Sequence, residues 1–190
     1  MFVSEHDPDL FTLITGAGMV KTAFELGKLI GSRFDVVINA GVCGCFTGFA
    51  IGDLLNVTHD RFCEMGAEDG SKFITINELG LGEQEVTAAY PFDHPIVNKL
   101  PATNGITVNR VHGNEKSIAQ VVERFQPHVE TMEGAAFLHA ANELRWKCLQ
   151  IRAVSNMVTP RDRDAWNIDL AVKNLNDALL GLIDSVIKTP

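Results

Sequence analysis

The chain has 190 residues and a net charge of -8, from 24 acidic against 16 basic residues, with 46% hydrophobic content. That balance argues against non-specific binding to nucleic acid or to an anionic membrane, both of which need a basic face. Length and composition predict one soluble globular domain over residues 1–190, and the absence of a signal peptide or a bilayer-length apolar run makes the cytoplasm the expected location.

Residues 1–9 are polar and irregular. Leu10 to Thr15 is a short apolar run, predicted as a buried strand. Gly16-Ala17-Gly18 turns the chain into a helix over about Met19 to Ile30, with Val20, Ala23, Phe24 and Gly27 expected on its inner face. Phe34 to Ala40 is apolar nearly throughout, as a parallel strand covered on both faces tends to be. Gly41-Val42-Cys43-Gly44 then reads as a tight turn at that strand's end. Asp53 to His59 predicts a further strand. From Asp60 to about Gly105, acidic residues, glycines and prolines dominate, and the segment reads as an excursion over the site or toward a partner chain. Ile106 to Val111 returns to strand character. Asn114 caps a helix whose Ile118, Val121, Val122 and Phe125 share one face, and Pro127 stops it. A helix starting at Glu133 runs to about Leu144, and Lys147 to Val154 is a strand. Thr159 to Asn167 is a charged loop, and a last helix spans Ile168 to about Ile187 with Leu175, Ala178, Leu179 and Leu182 on one face. Alternating strands and helices predict an α/β fold, three-layer αβα with a mixed, mostly parallel central sheet.

Four cysteines, Cys43, Cys45, Cys63 and Cys148, form no C-x-x-C pair. His59 and Cys63 are four apart, but two ligands do not make a metal site. Free cysteines packed in a reducing compartment are therefore expected, with no metal. Gly16-x-Gly18 lacks the third glycine of a dinucleotide-binding turn, because position 21 is Lys21. Glu133 stands at a helix start beside Gly134, Ala135 and Ala136, where a ligand could approach closely. A helix-start glutamate is favoured by the dipole alone. Its two oxygens also suit a ribose diol. Asn156 follows Ser155 at the end of an apolar strand. An amide there is commonly a turn residue. It could also address N7 and O6 of a 6-oxopurine and stabilise the charge of a departing base.

Met132-Glu133-Gly134-Ala135-Ala136 and Arg152-Ala153-Val154-Ser155-Asn156 resemble the signatures of the purine nucleoside phosphorylase and methylthioadenosine/adenosylhomocysteine nucleosidase superfamily. Gly16-Ala17-Gly18-Met19-Val20 and Ile38-Asn39-Ala40-Gly41 fit its early strand ends. A closer resemblance is to the futalosine hydrolase family of menaquinone biosynthesis. It is carried by Asp60-Arg61-Phe62 with Gly66-Ala67-Glu68-Asp69-Gly70, Val111-His112-Gly113-Asn114-Glu115 and Ala165-Trp166-Asn167-Ile168. The resemblance implies hydrolysis of the N-glycosidic bond of futalosine, with release of hypoxanthine and dehypoxanthinyl futalosine. It implies no metal or organic cofactor, a small-molecule purine nucleoside as partner, and a homodimer or higher homo-oligomer. By motif match, Glu133 and Asn156 are the catalytic residues. Met132, Arg152, Ser155, Val42 and Gly18 are the substrate-binding ones, with Met132 against the sugar and Arg152 orienting the carboxylate. Asn156 stands where adenine-cleaving relatives carry a proton-donating aspartate, which agrees with a 6-oxopurine leaving group. Val42 lies where many relatives place a serine that contacts phosphate or water, which favours hydrolase over phosphorylase. The family's first strand, with its water-activating glutamate, has no counterpart, and Glu5 is not given that role. The expectation is a fold lacking the family's N-terminal strand, either a truncated chain or an impaired enzyme. The alternatives are a phosphorylase of the same fold acting on 6-oxopurine nucleosides, separated by phosphate dependence, and an inactive nucleoside-binding relative, which the missing glutamate makes plausible.

Overall fold

The computed structural model describes residues 10–160, 162 and 164–187. In chain order the elements are α1 (Met19–Gly27), β1 (Val37–Cys45), β2 (Leu54–Arg61), β3 (Gly66–Asp69), β4 (Lys72–Thr75), β5 (Glu85–Thr87), a 3-10 turn (Val97–Lys99), β6 (Ala102–Thr107), α2 (Glu115–Phe125), β7 (Val129–Thr131), α3 (Gly134–Glu143), β8 (Cys148–Met157) and α4 (Ile168–Ile187). Six strands make one mixed sheet in the order β5-β2-β6-β7-β1-β8, while β3 and β4 form a separate hairpin. The longest register is parallel, from Val37 opposite Cys148 to Cys45 opposite Met157. β2 pairs antiparallel with β8 at Leu54 to Asn56 and then parallel with β6, so the sheet curls back on itself.

Alternation along β1 and β8 builds the layers. Ile38, Ala40 and Val42 join Leu149, Ile151 and Ala153 beneath Ala171, Leu175 and Leu182 of α4. Asn39 and Gln150 bond to each other on the opposite face. Leu26 of α1 packs on the α3 side with Phe137, Leu138 and Ala141. Helices on both faces of a mixed sheet give the expected three layers.

Two helices follow the sequence closely. Asn114 caps α2, its Oδ1 accepting from the N–H groups of Lys116 (3.0 Å) and Ser117 (3.4 Å). Helix α4 has the expected bounds, with Leu175 and Leu182 buried.

Other segments differ. Leu10 to Thr15 is not a strand, and Phe11 and Ile14 are 60% and 80% exposed. A strand needs a laddered neighbour, and none pairs with this run among the described residues. Helix α1 ends at Gly27, and its buried face is Thr22 and Leu26 rather than Val20 and Phe24, which point outward. Gly41 to Gly44 is not a turn but lies inside β1. The strand expected at Ile106 to Val111 sits four residues earlier at its start, as β6. The segment from Asp60 to Gly105 carries the β3–β4 hairpin, β5 and the 3-10 turn. His59 and Cys63 share no helix, because β2 runs through His59 to Arg61. Glu5, Arg161 and Arg163 lie outside the described residues.

Candidate active site

Glu133 occupies the N-cap position of α3, yet its side chain makes no cap bond to its own helix. It reaches across to α1, where Gly18 N–H donates to Oε1 at 3.0 Å. Gly18 can present that N–H because its φ of +98° is open to glycine. Oε2 faces Arg152 Nη2 at 3.9 Å. The Arg152 guanidinium is buried, and its Nε and Nη2 have no hydrogen-bond partner among the described residues. Burial lowers the Arg152 pKa, while the Glu133 charge opposes that shift. Gly41 makes room for this arginine, since a Cβ there would collide with Nη1. The carboxylate thus sits between a helix N-terminus and a buried cation, with lone pairs left on both oxygens.

A second carboxylate lies against the start of α3, beside Gly134. Asp60 is fully buried at the end of β2. It accepts from Thr107 Oγ1 at 2.9 Å, Gln150 Nε2 at 3.0 Å and Arg61 N–H at 2.8 Å. Thr107 Oγ1 in turn accepts from Ala135 N–H at 2.7 Å in the first turn of α3. Burial pushes the Asp60 carboxyl up to about 6, against the hydrogen bonds and the Arg152 charge, which lower it. Gly134 passes so close that a Cβ would strike Asp60 Oδ2. The Asp60 network therefore fixes the helix start that carries Glu133.

Asn156 belongs to another cluster, four residues along β8 from Arg152. Between Cys43 and Gly44 the register shifts, and Ser155 is the extra residue on β8. Such a bulge re-aims the side chain that follows it. Ser155 Oγ lies 3.1 Å from Cys43 O and 2.9 Å from Asn156 Oδ1, so its one proton serves both. Asn156 Nδ2 donates to Met157 O at 3.1 Å, leaving its second hydrogen for a ligand. Gly44 pairs with Asn156 on one side and Glu130 on the other. A Cβ on Gly44 would lie 3.3 Å from Asn156 Nδ2 and 3.4 Å from Glu130 Cγ. Glu130 is 4% exposed and is held by His112, whose Nδ1 is 2.6 Å from Oε2 and whose N–H donates to Oε1 at 3.1 Å.

The fold thus gathers Gly18, Glu133 and Arg152 into one group and Ser155 and Asn156 into another. Met132 is half-buried against Ile106, Val108, Val121 and Phe125. Val42 joins neither group, because alternation along β1 turns it to the α4 face. Phe62 packs with the α1–α3 cluster, and Phe92 packs in the α4 cluster, stacked on His94. Sequence reasoning missed Asp60, Gln150 and the Glu130–His112 pair as site groups. Asp60 and His112 stand in segments that carry the family resemblance, which was the available signal. The four cysteines are free and buried, and burial pushes the thiols of Cys43 and Cys63 up to about 12. No group of three His, Cys, Asp or Glu among the described residues is placed to hold a metal ion, and no described helix is long and apolar enough to cross a membrane.

Comparison with known proteins gives the family. The profile of the phosphorylase superfamily matches residues 5–188. A futalosine hydrolase of Acidothermus cellulolyticus is 30% identical over 190 residues, covering 93% of this chain and 76% of that protein. A futalosine hydrolase of Streptomyces coelicolor is 33% identical over 155 residues, covering 80% of this chain and 66% of that protein. The chain thus spans about two thirds to three quarters of the length of these relatives. Among solved structures, a futalosine hydrolase mutant of Helicobacter pylori superposes with a TM-score of 0.74 at 14% identity, covering 90% of this chain and 78% of that one. A 5'-methylthioadenosine/S-adenosylhomocysteine nucleosidase of Helicobacter pylori, bound to butyl-thio-DADMe-Immucillin-A, gives a TM-score of 0.75 with the same identity and coverage. The chain belongs to the phosphorylase superfamily and, within it, to the futalosine hydrolase family.

Proposed function

We propose that this chain is a hydrolase that cleaves the N-glycosidic bond of futalosine, releasing hypoxanthine and dehypoxanthinyl futalosine. The observation that carries this reading is the Glu133 carboxylate, poised between the Gly18 N–H and the buried Arg152 in a chain of the futalosine hydrolase family. In this reading Glu133 accepts the ribose hydroxyl protons and its charge stabilises the oxocarbenium-like sugar as the bond to the base breaks. The 3.9 Å gap to Arg152 closes when substrate draws the two groups together, as catalytic contacts tighten on binding. Met132 packs against the sugar. Asn156, held by Ser155, donates to N7 or O6 of the departing base. An amide cannot supply a proton, so a 6-oxopurine, whose O6 and N7 both accept, suits it better than adenine.

All 190 residues act as one nucleosidase unit, in the cytoplasm and without metal or organic cofactor. The protein works as a homodimer or higher homo-oligomer, which the exposed apolar side chains of Val20 and Phe24 on α1 support.

The test is base release from futalosine, inosine and methylthioadenosine, each with and without phosphate. Hypoxanthine from futalosine in phosphate-free buffer is the expected result. Phosphate-dependent release from inosine would favour a phosphorylase instead, and no release from any substrate would leave a nucleoside-binding protein. Glu133→Gln should lower the futalosine rate by about 10²- to 10⁴-fold, because it removes the charge opposite the forming cation.

A further inference from the structure

We infer that Asp60 is a positioning residue for Glu133 that acts through Thr107: its ionised carboxylate braces the first turn of α3, and a proton on it slackens that turn. Where it concerns rate, the inference rests on the nucleoside-cleaving reading above. Glu133 holds the N-cap position of α3 but turns its carboxylate to the Gly18 N–H, so the helix start needs other caps. Two threonines supply them. Thr131 Oγ1 accepts from Gly134 N–H at 3.1 Å, and Thr107 Oγ1 accepts from Ala135 N–H at 2.7 Å. Thr107 is in turn backed by a carboxylate, because its hydroxyl donates to Asp60 Oδ1. Glu133 is free to serve the site because Thr107 and Asp60 cap the helix in its place.

The hydrogen bonds described for Asp60 are all donated to it. Oδ1 takes the Thr107 hydroxyl and Arg61 N–H, and Oδ2 takes Gln150 Nε2. Such a shell is arranged for the ionised form. A proton on Oδ2 meets the Gln150 NH2. Gln150 cannot turn over without losing Asn39, whose Nδ2 donates to Gln150 Oε1 at 3.0 Å. A proton on Oδ1 meets the Thr107 hydroxyl, which must then turn its own hydrogen away inside a fully buried site. A hydrogen bond to an ionised acceptor is stronger than one to a neutral acceptor, and it polarises the hydroxyl toward its next partner. Protonation therefore weakens the hold of Thr107 on Ala135 N–H, and the turn that aims Glu133 loosens with it. The ionised form also suits the helix N-terminus that Asp60 Oδ2 abuts at Gly134.

Few charged or titratable groups act on Asp60. Arg152 on β8 lowers the carboxyl, and it faces Glu133 as well. Asp60 in turn raises the Cys63 thiol, which burial has already pushed up to about 12. The Arg61 guanidinium is turned away, to Glu85 and the Phe125 carbonyl. From β6 and α3, Asp60 meets the uncharged Thr107 and Gly134. Burial outweighs the donors and sets the carboxyl at about 6, so both forms lie within the range of an ordinary assay.

The experiment follows two signals against pH in the full chain: the Ala135 amide resonance by NMR, and kcat for futalosine cleavage. The proteins are wild type, Asp60→Asn, Thr107→Val and Thr107→Ser. In wild type the Ala135 resonance should move with the Asp60 carboxyl, at a midpoint of about 6. Below that midpoint kcat should fall roughly 10- to 100-fold, with a much smaller change in KM, because a misaimed group loses rate rather than substrate. Asp60→Asn resembles the protonated form, so it should stay at the low rate and lose that inflection. Thr107→Val should do the same although its Asp60 still titrates, while Thr107→Ser keeps the hydroxyl and should restore both signals. A Thr107→Val protein with a lowered thermal midpoint but an unchanged pH profile overturns the inference, since Thr107 would then be structural only. So does a wild-type Ala135 amide that ignores the Asp60 midpoint, a result that needs no variant to fold. Base release with no inflection linked to Asp60 would remove the relay and leave the proposed function standing. An Ala135 amide that follows Asp60 in a chain that releases no base would do the reverse.

Discussion

Asp60 is a carboxyl whose proton is bound more tightly in the folded chain than in the unfolded one. Burial raises its pKa from an ordinary 3.8 to about 6, and the bonds from Gln150, Thr107 and Arg61 N–H offset only part of that. The sign follows from which state holds the proton. Below about pH 4 both states are protonated, and the contribution to stability is fully present. As pH rises toward and through about 6, the unfolded chain ionises first, so native stability falls. The difference between 3.8 and about 6 is worth roughly 3 kcal/mol. Asp60→Asn cannot titrate, so its urea midpoint should change less than that of wild type between pH 4 and pH 7. Parallel curves for the two proteins would place that pH dependence on another group. Little of this was legible in the sequence. Asp60 reads as a polar residue at a strand end, and its partners lie 47 and 90 residues away at Thr107 and Gln150. Its burial is a product of topology, not of local pattern.

Strand β1 shows why some elements were read correctly and others were not. Glycines after an apolar run usually mean a turn, and Gly41 to Gly44 was expected to be one. Here they continue the strand, because neighbouring side chains cross where a Cβ would be: Arg152 at Gly41, and Val158, Asn156 and Glu130 at Gly44. Glycine in a strand marks a close approach as well as a bend. The same crossing brings the site together, so the misread turn and the unread half of the site have one cause. Helices α2 and α4 were legible because cap and apolar stripe are local signals. Glu133 and Asn156 were legible as motif residues, but the Ser155 bulge that aims Asn156 is visible only once β8 is paired with β1. Gly41→Ala should displace the Arg152 guanidinium and cost about 1–3 kcal/mol by overpacking. Futalosine cleavage should fall with it, because Arg152 faces Glu133. Gly181→Ala on α4 is the control: a Cβ there meets nothing within 4 Å, so thermal midpoint and activity should not fall below wild type. Equal behaviour of the two variants in thermal melts would show that Arg152 has room to move.

At the scale of the whole molecule, the outward face of α1 is an apolar surface that the described residues leave uncovered. Val20 and Phe24 are one helical turn apart and 76% and 66% exposed, and Ile30 beyond the helix is 72% exposed. Beside them a groove of about 390 Å³ runs between α1 and α3, lined by Val20, Ala23, Gly27 and Ile30 against Ala136 and Ala140. An apolar face of this kind on a water-exposed helix is either covered in the assembled protein or a liability for aggregation. The homo-oligomer reading predicts the first. Because α1 supplies the Gly18 N–H to Glu133, a partner seated on α1 would also steady one wall of the site. Sedimentation velocity of the wild-type chain at micromolar concentration should show a species heavier than the 20.8 kDa monomer. Phe24→Asp places a charge in the centre of the apolar face and should shift the protein toward monomer. Futalosine cleavage by this variant should then fall as the protein is diluted and recover as it is concentrated, since subunit association is a mass-action equilibrium. A wild-type chain that sediments as a monomer at every concentration, with activity per molecule unchanged on dilution, would show that the site is held by a single chain and that the α1 face has no second copy to meet.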